Sequence, residues 1–338
     1  MSITIKDIAR RAQVSYTTVS LAFQQNSRIS TDRRRQILKI AEELGYVPNR
    51  QARALKGGGT QTIGVLINDV TNPFFSLVAR AAGEAASARG YEVLVADSRW
   101  QVKHELVEIQ RMIQAGVDGV LACFSESGRE SSVELERHKI PCLALDAVSS
   151  DFPGAYVAND IPAAARLAVE HLLEVGCRDI VFFNGDEQIK ESVACQLLAR
   201  EFFDTLQRHD RRPNEEQIFC AGLTIDAGRQ AMEKVLQSGT VVDGLFCANT
   251  LCAMGAMESA QRAGMRIGRD LAVVGIDDLD ICELECISLT TIRQPYKRLA
   301  EVATNLLLDC IQNHQMPDLR MALRPELIVR NSTRRKPA

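Results

Sequence analysis

No stretch of this 338-residue chain reaches the roughly 18 consecutive apolar residues that a membrane span needs. The first residues, Met1-Ser2-Ile3-Thr4-Ile5-Lys6-Asp7, hold no apolar signal-peptide core, so a cytoplasmic protein without a membrane partner is expected. Cysteine is missing from the first 120 residues, and no two of the ten cysteines have CxxC spacing. The nearest pair, Cys282 and Cys286, has no clear metal partner. This argues against a zinc site or a disulfide framework; most thiols are expected to be reduced, buried and packed as small apolar groups. There is no G-x-G-x-x-G after a strand, no G-x-x-x-x-G-K-[ST], no G-x-S-x-G, and no Ser/His/Asp set picked out by spacing. Nothing positive favours an enzyme, and no cofactor or metal is expected. Tryptophan occurs once, so a binding pocket short of stacking tryptophan is expected as well.

Acidic residues are scarce at the start of the chain, and the two signs of charge are unevenly divided along it. Residues 1–60 hold eleven Lys and Arg against four Asp and Glu, an excess of seven positive charges. The whole chain stands at −3, which leaves −10 on the other 278 residues. A basic head on an acidic body is the asymmetry expected when only one segment faces phosphate. A solvated surface helix accounts for Arg33-Arg34-Arg35 alone, but not for the helices around it.

Thr4 suits a helix cap, with Asp7 three residues on as in a capping box. Ile5, Ile8, Ala9 and Ala12 follow helical spacing, Gln13-Val14 makes a turn, and Ser15 caps a second helix from Tyr16 to Phe23. Two short helices joined by a tight turn make a helix-turn-helix. Ser30 caps a third helix with Ile37, Ile40, Ala41 and Leu44 in one stripe, and Gly45 ends it. The start of the second helix of such a unit enters the major groove. Tyr16, Thr17 and Leu21, on the side away from Val19, are the base-contact candidates. Ser15, Thr18, Ser20 and Arg28 are better placed for phosphates, with Thr4 at the first cap. Val14, Val19, Ile37 and Leu44 are plain core.

Thr4-Ile5-Lys6-Asp7-Ile8-Ala9, Val14-Ser15-Tyr16-Thr17-Thr18-Val19-Ser20 and Leu44-Gly45-Tyr46-Val47-Pro48-Asn49 resemble, in order and spacing, the head of the LacI/GalR family of repressors. The resemblance implies that Asn49–Lys56 is a hinge helix that orders on operator DNA, with Ala52, Arg53 and Lys56 against the minor groove. Leu55 takes the position of the leucine that wedges open the central base step. An apolar wedge of this kind unstacks and bends the duplex at a cost of about a few kcal/mol. Gly57-Gly58-Gly59 follows as a flexible tether. Leu21 departs from the polar or basic residue common at its position, and it suits a thymine methyl.

From Thr62 the chain alternates short apolar strands with helical stretches. Strands are expected at 63–67, 93–96, 119–122 and 142–145, then at 180–183, 218–220, 244–247 and 272–276. Continuous apolar strands separated by helices imply parallel sheets covered on both faces. Two such sets imply two lobes, with a ligand at the carboxyl ends of the strands. Polar residues collect at those ends: Asn68-Asp69, Asn72, Asp97-Ser98-Arg99-Trp100, Asp146, Asn159-Asp160, Asn184, Asn249-Thr250 and Asp277-Asp278. Each one alone is more simply a cap or turn residue; their convergence favours binding for several.

The resemblance extends through Asn72-Pro73-Phe74-Phe75, Val274-Gly275-Ile276-Asp277-Asp278 and Leu289-Thr290-Thr291-Ile292-Arg293-Gln294-Pro295. It implies an α/β fold: a helix-turn-helix head with a hinge helix, then a two-lobed, Rossmann-like body resembling periplasmic sugar-binding proteins. The expected division is a DNA-binding domain at 1–47, hinge and linker at 48–60, and an effector-binding and dimerisation domain at 61–338. Within the last, one lobe takes about 61–160 plus 291–322 and the other about 161–290 plus 323–338. Asn72 and Phe74 belong to this pocket, Phe75 packs on the effector, Asn249 and Asp277 hydrogen-bond it, and Asp146 and Asp160 lie nearby. The family's effector-binding arginine is missing: Leu198 or a neighbour takes its place, or Arg200 after a register shift. Thr250 stands where an aspartate is common. Arg99 and Lys190 leave an acidic sugar or sugar phosphate open.

The expected function is a repressor that binds a palindromic operator on double-stranded DNA as a homodimer, under control of a small-molecule effector. The short tail after Val329 holds no heptad segment to join two dimers. A cytosolic solute-binding protein without a DNA role is the alternative; the basic head argues against it.

Overall fold

The computed structural model describes residues 3–23, 29–46, 59–212, 214–316 and 318–334. The expected hinge helix, with Asn49, Ala52, Arg53, Leu55 and Lys56, lies outside the described residues, as does Arg28. The chain divides into two compact units, 1–60 and 61–338.

The head holds three helices, α1 (Ile5–Ala12), α2 (Tyr16–Ala22) and α3 (Thr31–Glu43). Asp7 accepts from the Thr4 backbone N–H at 2.9 Å and from its hydroxyl at 2.6 Å, which satisfies the start of α1. Ser15 caps α2 by accepting from Thr18 N–H at 3.1 Å. Ser30 occupies the cap position of α3, but its side chain makes no capping bond. Gly45 ends α3 with a φ of +66°, and the Tyr46 N–H returns to the Ala41 carbonyl. Ile8, Val19, Ala22 and Ile37 are wholly buried between the three helices. Arg34 Nε donates to the Ala22 carbonyl at 3.0 Å and ties the end of α2 to α3.

The body contains two six-stranded sheets. Strands β1 (Thr62–Ile67), β2 (Glu92–Asp97), β3 (Gly119–Ala122), β4 (Cys142–Asp146) and β5 (Tyr156–Asn159) start the first; β11 (Arg320–Leu323) completes it in the order β11-β5-β4-β3-β1-β2. Strands β6 (Ile180–Asn184), β7 (Ile218–Cys220), β8 (Gly244–Cys247), β9 (Ala272–Ile276) and β10 (Thr290–Arg293) start the second. There β12 (Glu326–Ile328) completes the order β12-β10-β9-β8-β6-β7. All the pairings are parallel except β10 with β12. Three crossings join the lobes: after β5, after β10 and between β11 and β12. The second sheet runs through Arg293, so the second crossing falls later than the expected 290/291 break.

Helices cover the sheets: α4 (Pro73–Ala88), α5 (Val102–Ala115), α6 (Arg129–Arg137) and α11 (Tyr296–Asn313) in the first lobe, α7 (Ile161–Glu174), α8 (Val193–Arg208), α9 (Ile225–Gln237) and α10 (Thr250–Arg262) in the second. The central strands β1, β3, β4, β6, β8 and β9 are buried along nearly their whole length, as their continuous apolar sequence implies. The edge strand β2 departs from this: Leu94 and Val95 are exposed. Helices α9 and α10 meet at two glycines. A Cβ on Gly228 would stand 2.0 Å from the Cys252 carbonyl oxygen, and one on Gly255 1.8 Å from that of Ile225. Only glycine permits this approach. Seven cysteines are buried, Cys142 is half-buried, and Cys220 and Cys286 are exposed; burial pushes the Cys142 thiol up to about 12.

Candidate functional site

In the head, the residues singled out for DNA separate by exposure. Ser15, Tyr16 and Thr17 are exposed at the start of α2, and Thr4 is exposed at the cap of α1. Thr18, Ser20 and Leu21 are half-buried. The Ser15 and Thr18 hydroxyls hydrogen-bond each other at 2.8 Å. The surface thus offers an aromatic ring and side-chain hydroxyls at the start of a capped helix, a set that suits base edges and phosphate oxygens.

In the body, the carboxyl ends of both sheets face a half-open cleft with a cavity volume of about 50 Å³. The first lobe supplies Asn72, Phe74, Phe75, Trp100 and Asp146. From the second come the polar Asn249, Asp277 and Gln294, and an apolar wall that includes Ile161, Leu198 and Ile276. Phe75 meets Phe74 edge-on at 5.2 Å and Trp100 edge-on at 5.6 Å, which makes a continuous aromatic corner.

Strained turns aim the acids into this space. Asp146 ends β4 with a φ of +68°, and Asp277 follows β9 with a φ of +95°. Such conformations are costly for residues with a Cβ and cluster where a site needs them. Asn159 Nδ2 donates to Asp146 Oδ1 at 2.8 Å, and Gln294 Nε2 donates to Asp277 Oδ1 at 2.9 Å. Both bonds favour the charged forms, but burial outweighs them. Burial raises the Asp146 carboxyl to about 6. It raises that of Asp277 to about 7, with a smaller contribution from the negative charge of Asp146. Gln294 Oε1 is buried without a hydrogen-bond partner. Next to Asp277, Asp278 is held by Arg293 Nε at 2.6 Å and Arg330 Nη1 at 2.7 Å, which fixes the turn after β9.

Asn249 reaches the cavity while capping α10: Oδ1 accepts from Cys252 N–H at 2.9 Å and Nδ2 donates to the Leu223 carbonyl at 2.8 Å. Thr250 turns away and donates to the Ile276 carbonyl at 2.7 Å. Of the expected effector contacts, Asn72, Phe74, Phe75, Asp146, Leu198, Asn249 and Asp277 line the cavity.

Three do not. Arg99 is exposed on a turn with a φ of +53°. Asp160 spends its carboxylate on the cap of α7, accepting from Ala163 N–H at 3.0 Å. Arg200 lies on the outer face of α8, exposed and 3.8 Å from Asp204, because Leu198, two residues earlier and so on the opposite side of the helix, takes the inward position. Lys190 is likewise outside the lining, paired with Glu187 at 2.6 Å. The expected shortage of stacking tryptophan is also corrected: Trp100, the single tryptophan, lines the cavity. Sequence reasoning missed Gln294 too. Both sit in segments already singled out, Asp97–Trp100 and Leu289–Pro295. A wider hollow of about 450 Å³ lies between α5 and α6, but it is open, and its Arg129 and Arg137 are engaged by Asp151 and Glu134.

A second polar cluster lies beneath the first-lobe loops. Glu105 is 1% exposed, and its carboxylate accepts from Ser125 N–H at 2.7 Å and from the Ser131 hydroxyl. The Ser125 hydroxyl donates to Ser98 at 3.1 Å, and Ser98 donates to Asn68 at 3.2 Å. The Asn68 carbonyl accepts from Trp100 N–H at 3.2 Å, so the cluster reaches the cavity wall. Burial raises the Glu105 carboxyl.

Among the described residues, no helix is long and apolar enough to cross a membrane. Residues 4–49 match the family described as bacterial regulatory proteins, lacI family, and residues 169–333 match a periplasmic binding protein-like domain. The ribose operon repressor of Halalkalibacterium halodurans is 33% identical over 332 residues, covering 98% of this chain and 97% of that protein. The repressor CytR of Escherichia coli K12 is 31% identical over 334 residues, covering 99% and 97%. A Lac repressor dimer crystallised with its operator and the anti-inducer ONPF superposes with a TM-score of 0.86 at 28% identity, over 98% of this chain and 99% of that one. Head, body and relatives agree along nearly the whole length: the chain belongs to the LacI family of bacterial transcriptional regulators.

Proposed function

We propose that the protein is a cytoplasmic repressor of a carbohydrate or related catabolic operon, regulatory rather than catalytic. It binds a palindromic operator as a homodimer and answers to a small molecule in the cavity between its lobes. The observation that carries this reading is one chain holding both a capped helix-turn-helix and a half-open cleft lined by both lobes. The ribose operon repressor, and a ribose-bound LacI-family regulator of Enterococcus faecium that is 26% identical with a TM-score of 0.71, support a carbohydrate effector.

The proposed division is a head at 1–47, a hinge at 48–60 and a body at 61–338. Tyr16, Thr17 and Leu21 read bases. Thr4, Ser15, Thr18, Ser20 and Arg28 hold phosphates. Asn49, Ala52, Arg53 and Lys56 line the hinge's contact with the minor groove, where Leu55 wedges a base step. Asn72, Phe74, Phe75, Trp100, Asp146, Leu198, Asn249, Asp277 and Gln294 form the effector site. An effector can act only through unequal affinity for the DNA-competent and incompetent states. A site built from both lobes supplies that inequality, because a bound ligand favours one spacing of the lobes.

Exposed apolar side chains support the homodimer. Leu94 and Val95 stand on the edge strand β2 and Val107 on α5. In the second lobe Ile225 opens α9, and Ile281 and Leu284 flank the turn at 280–284. Apolar side chains left exposed on both lobes suit burial against a second copy.

Capture of genomic fragments by the purified protein, sequenced at low and raised salt, tests the reading. Enrichment of one palindrome beside transport or catabolic genes supports it. Binding without sequence preference that collapses with salt refutes it, since only the phosphate-driven part is then present.

A further inference from the structure

We infer that the effector carries no negative charge: the cleft is built for an uncharged or cationic polyhydroxylated molecule with a flat or apolar face, and it rejects phosphorylated and carboxylated analogues. The inference rests on the reading of this cleft as the effector site and narrows it to a ligand class.

Three observations carry it. First, no Lys, Arg or His is among the residues that line the cavity. The cations near the lining in sequence are placed elsewhere: Arg99 is exposed on its turn, Arg293 is engaged by Asp278, Arg200 faces solvent beside Asp204, and Lys190 is engaged by Glu187. An anion entering the cleft finds no counter-charge, and desolvating an unpaired anion is prohibitive.

Second, the buried carboxylates and Gln294 Oε1 are acceptors with unused capacity, beside the donor N–H groups of Asn72 and Trp100. Asp146 and Asp277 come from opposite lobes, and each has one carboxylate oxygen committed, to Asn159 and Gln294 respectively. Gln294 Oε1 is 5% exposed by residue and has no partner at all. A buried acceptor left empty costs free energy, so the site is complete only with a donor-bearing ligand. Hydroxyl, amino and ammonium groups donate; phosphate and carboxylate oxygens accept only. Two acids from opposite lobes that line one cleft also repel an anion directly. The remaining titratable group in the wall, the Cys195 thiol, is pushed up by burial and stays neutral.

Third, the walls are apolar and aromatic. Phe75 and Trp100 form the corner on one side, and Leu198 and Ile276 the surface on the other. Such walls suit the apolar face of a pyranose or furanose, or a planar base.

Calorimetric titration of the full-length protein tests this with two matched pairs, D-ribose against D-ribose 5-phosphate and adenosine against adenosine 5′-monophosphate. At least one parent compound is expected to bind, and its phosphate to bind about tenfold or more weakly. In Leu198→Arg, checked for folding by circular dichroism, the preference is expected to move toward the phosphate. A phosphate that binds more tightly than its parent overturns the inference. So does failure of both parents to bind at millimolar concentration. Operator selection on the same preparation separates the two readings. A protein that selects one DNA sequence yet prefers the phosphate loses only this inference; one that binds a parent sugar yet selects no DNA loses the repressor reading.

Discussion

Replacing Gly255 by alanine is expected to loosen the second lobe from its middle. The added Cβ would stand 1.8 Å from the Ile225 carbonyl oxygen, whereas ordinary contact begins at 3.4 Å, so α9 and α10 must part by about 1.6 Å. The obstacle is backbone at the first turn of α9, so no side chain can rotate out of the way. Overpacking of this kind costs about 1–3 kcal/mol and occasionally more, while alanine in a helix interior returns up to about 1 kcal/mol. A net loss of roughly 2 kcal/mol is therefore expected. The same displacement stretches the bond from Asn249 to the Leu223 carbonyl, both of which line the cavity, so effector affinity falls too. Urea unfolding followed by circular dichroism at one fixed protein concentration measures the change. Gly83→Ala in α4 is the control. Its Cβ would meet only the Val93 side chain at 3.3 Å, and stability is expected to hold or rise. A Gly255→Ala midpoint at or above that of the parent protein refutes the helix-contact argument.

Asp277→Asn tests the buried acid. The folded carboxyl sits near 7 instead of the usual carboxylate range, so its charge costs no stability at about pH 4 and most of it above about pH 7. The substitution is expected to raise the melting temperature at pH 8 far more than at pH 4; equal shifts contradict the electrostatic account. Glu105→Leu strands the donors of Ser125 and Ser131 and is expected to lose roughly 2 kcal/mol or more in urea titration, with parent-like stability as the contrary result. Tyr16→Ala should lower discrimination between operator and random DNA. The slope of log affinity against log salt should stay unchanged, because no phosphate-neutralising charge is removed; a changed slope places Tyr16 at the backbone instead. Leu55→Ala should weaken operator binding in fluorescence anisotropy while calorimetric effector affinity stays fixed; unaltered operator affinity would sink the wedge assignment.

Much of this architecture was legible because local signals agreed with one another. In the head, the Thr4–Asp7 box, the Ser15 cap, the apolar stripe of α3 and Gly45 each point to the same three helices. Eight strands stood out as apolar runs. The other four did not: β5, β10, β11 and β12 are three or four residues long, and β11 and β12 pair only with strands distant in sequence. The cavity was legible to the extent that strand ends converge. Asp146 and Asp277 were found that way. Arg99 and Trp100 were not told apart, because both adopt positive φ and the turn alone decides which one faces inward. Arg200 failed for a related reason: a register on α8 is fixed by packing against β6 rather than by the sequence of the helix.

The three crossings between lobes bear on how the chain is made. Strand β5 is synthesised about 160 residues before β11, the neighbour that covers its edge. Helix α11, which packs on β3, β4 and β5, also arrives late. On the ribosome, neither lobe can finish folding until the last few dozen residues emerge, and the first sheet waits with an open edge throughout. Such long-range pairing is slow and leaves nascent chains open to aggregation. Premature termination even near residue 315 therefore removes a strand from each sheet at once and spoils both lobes together, so translation releases either a whole regulator or none.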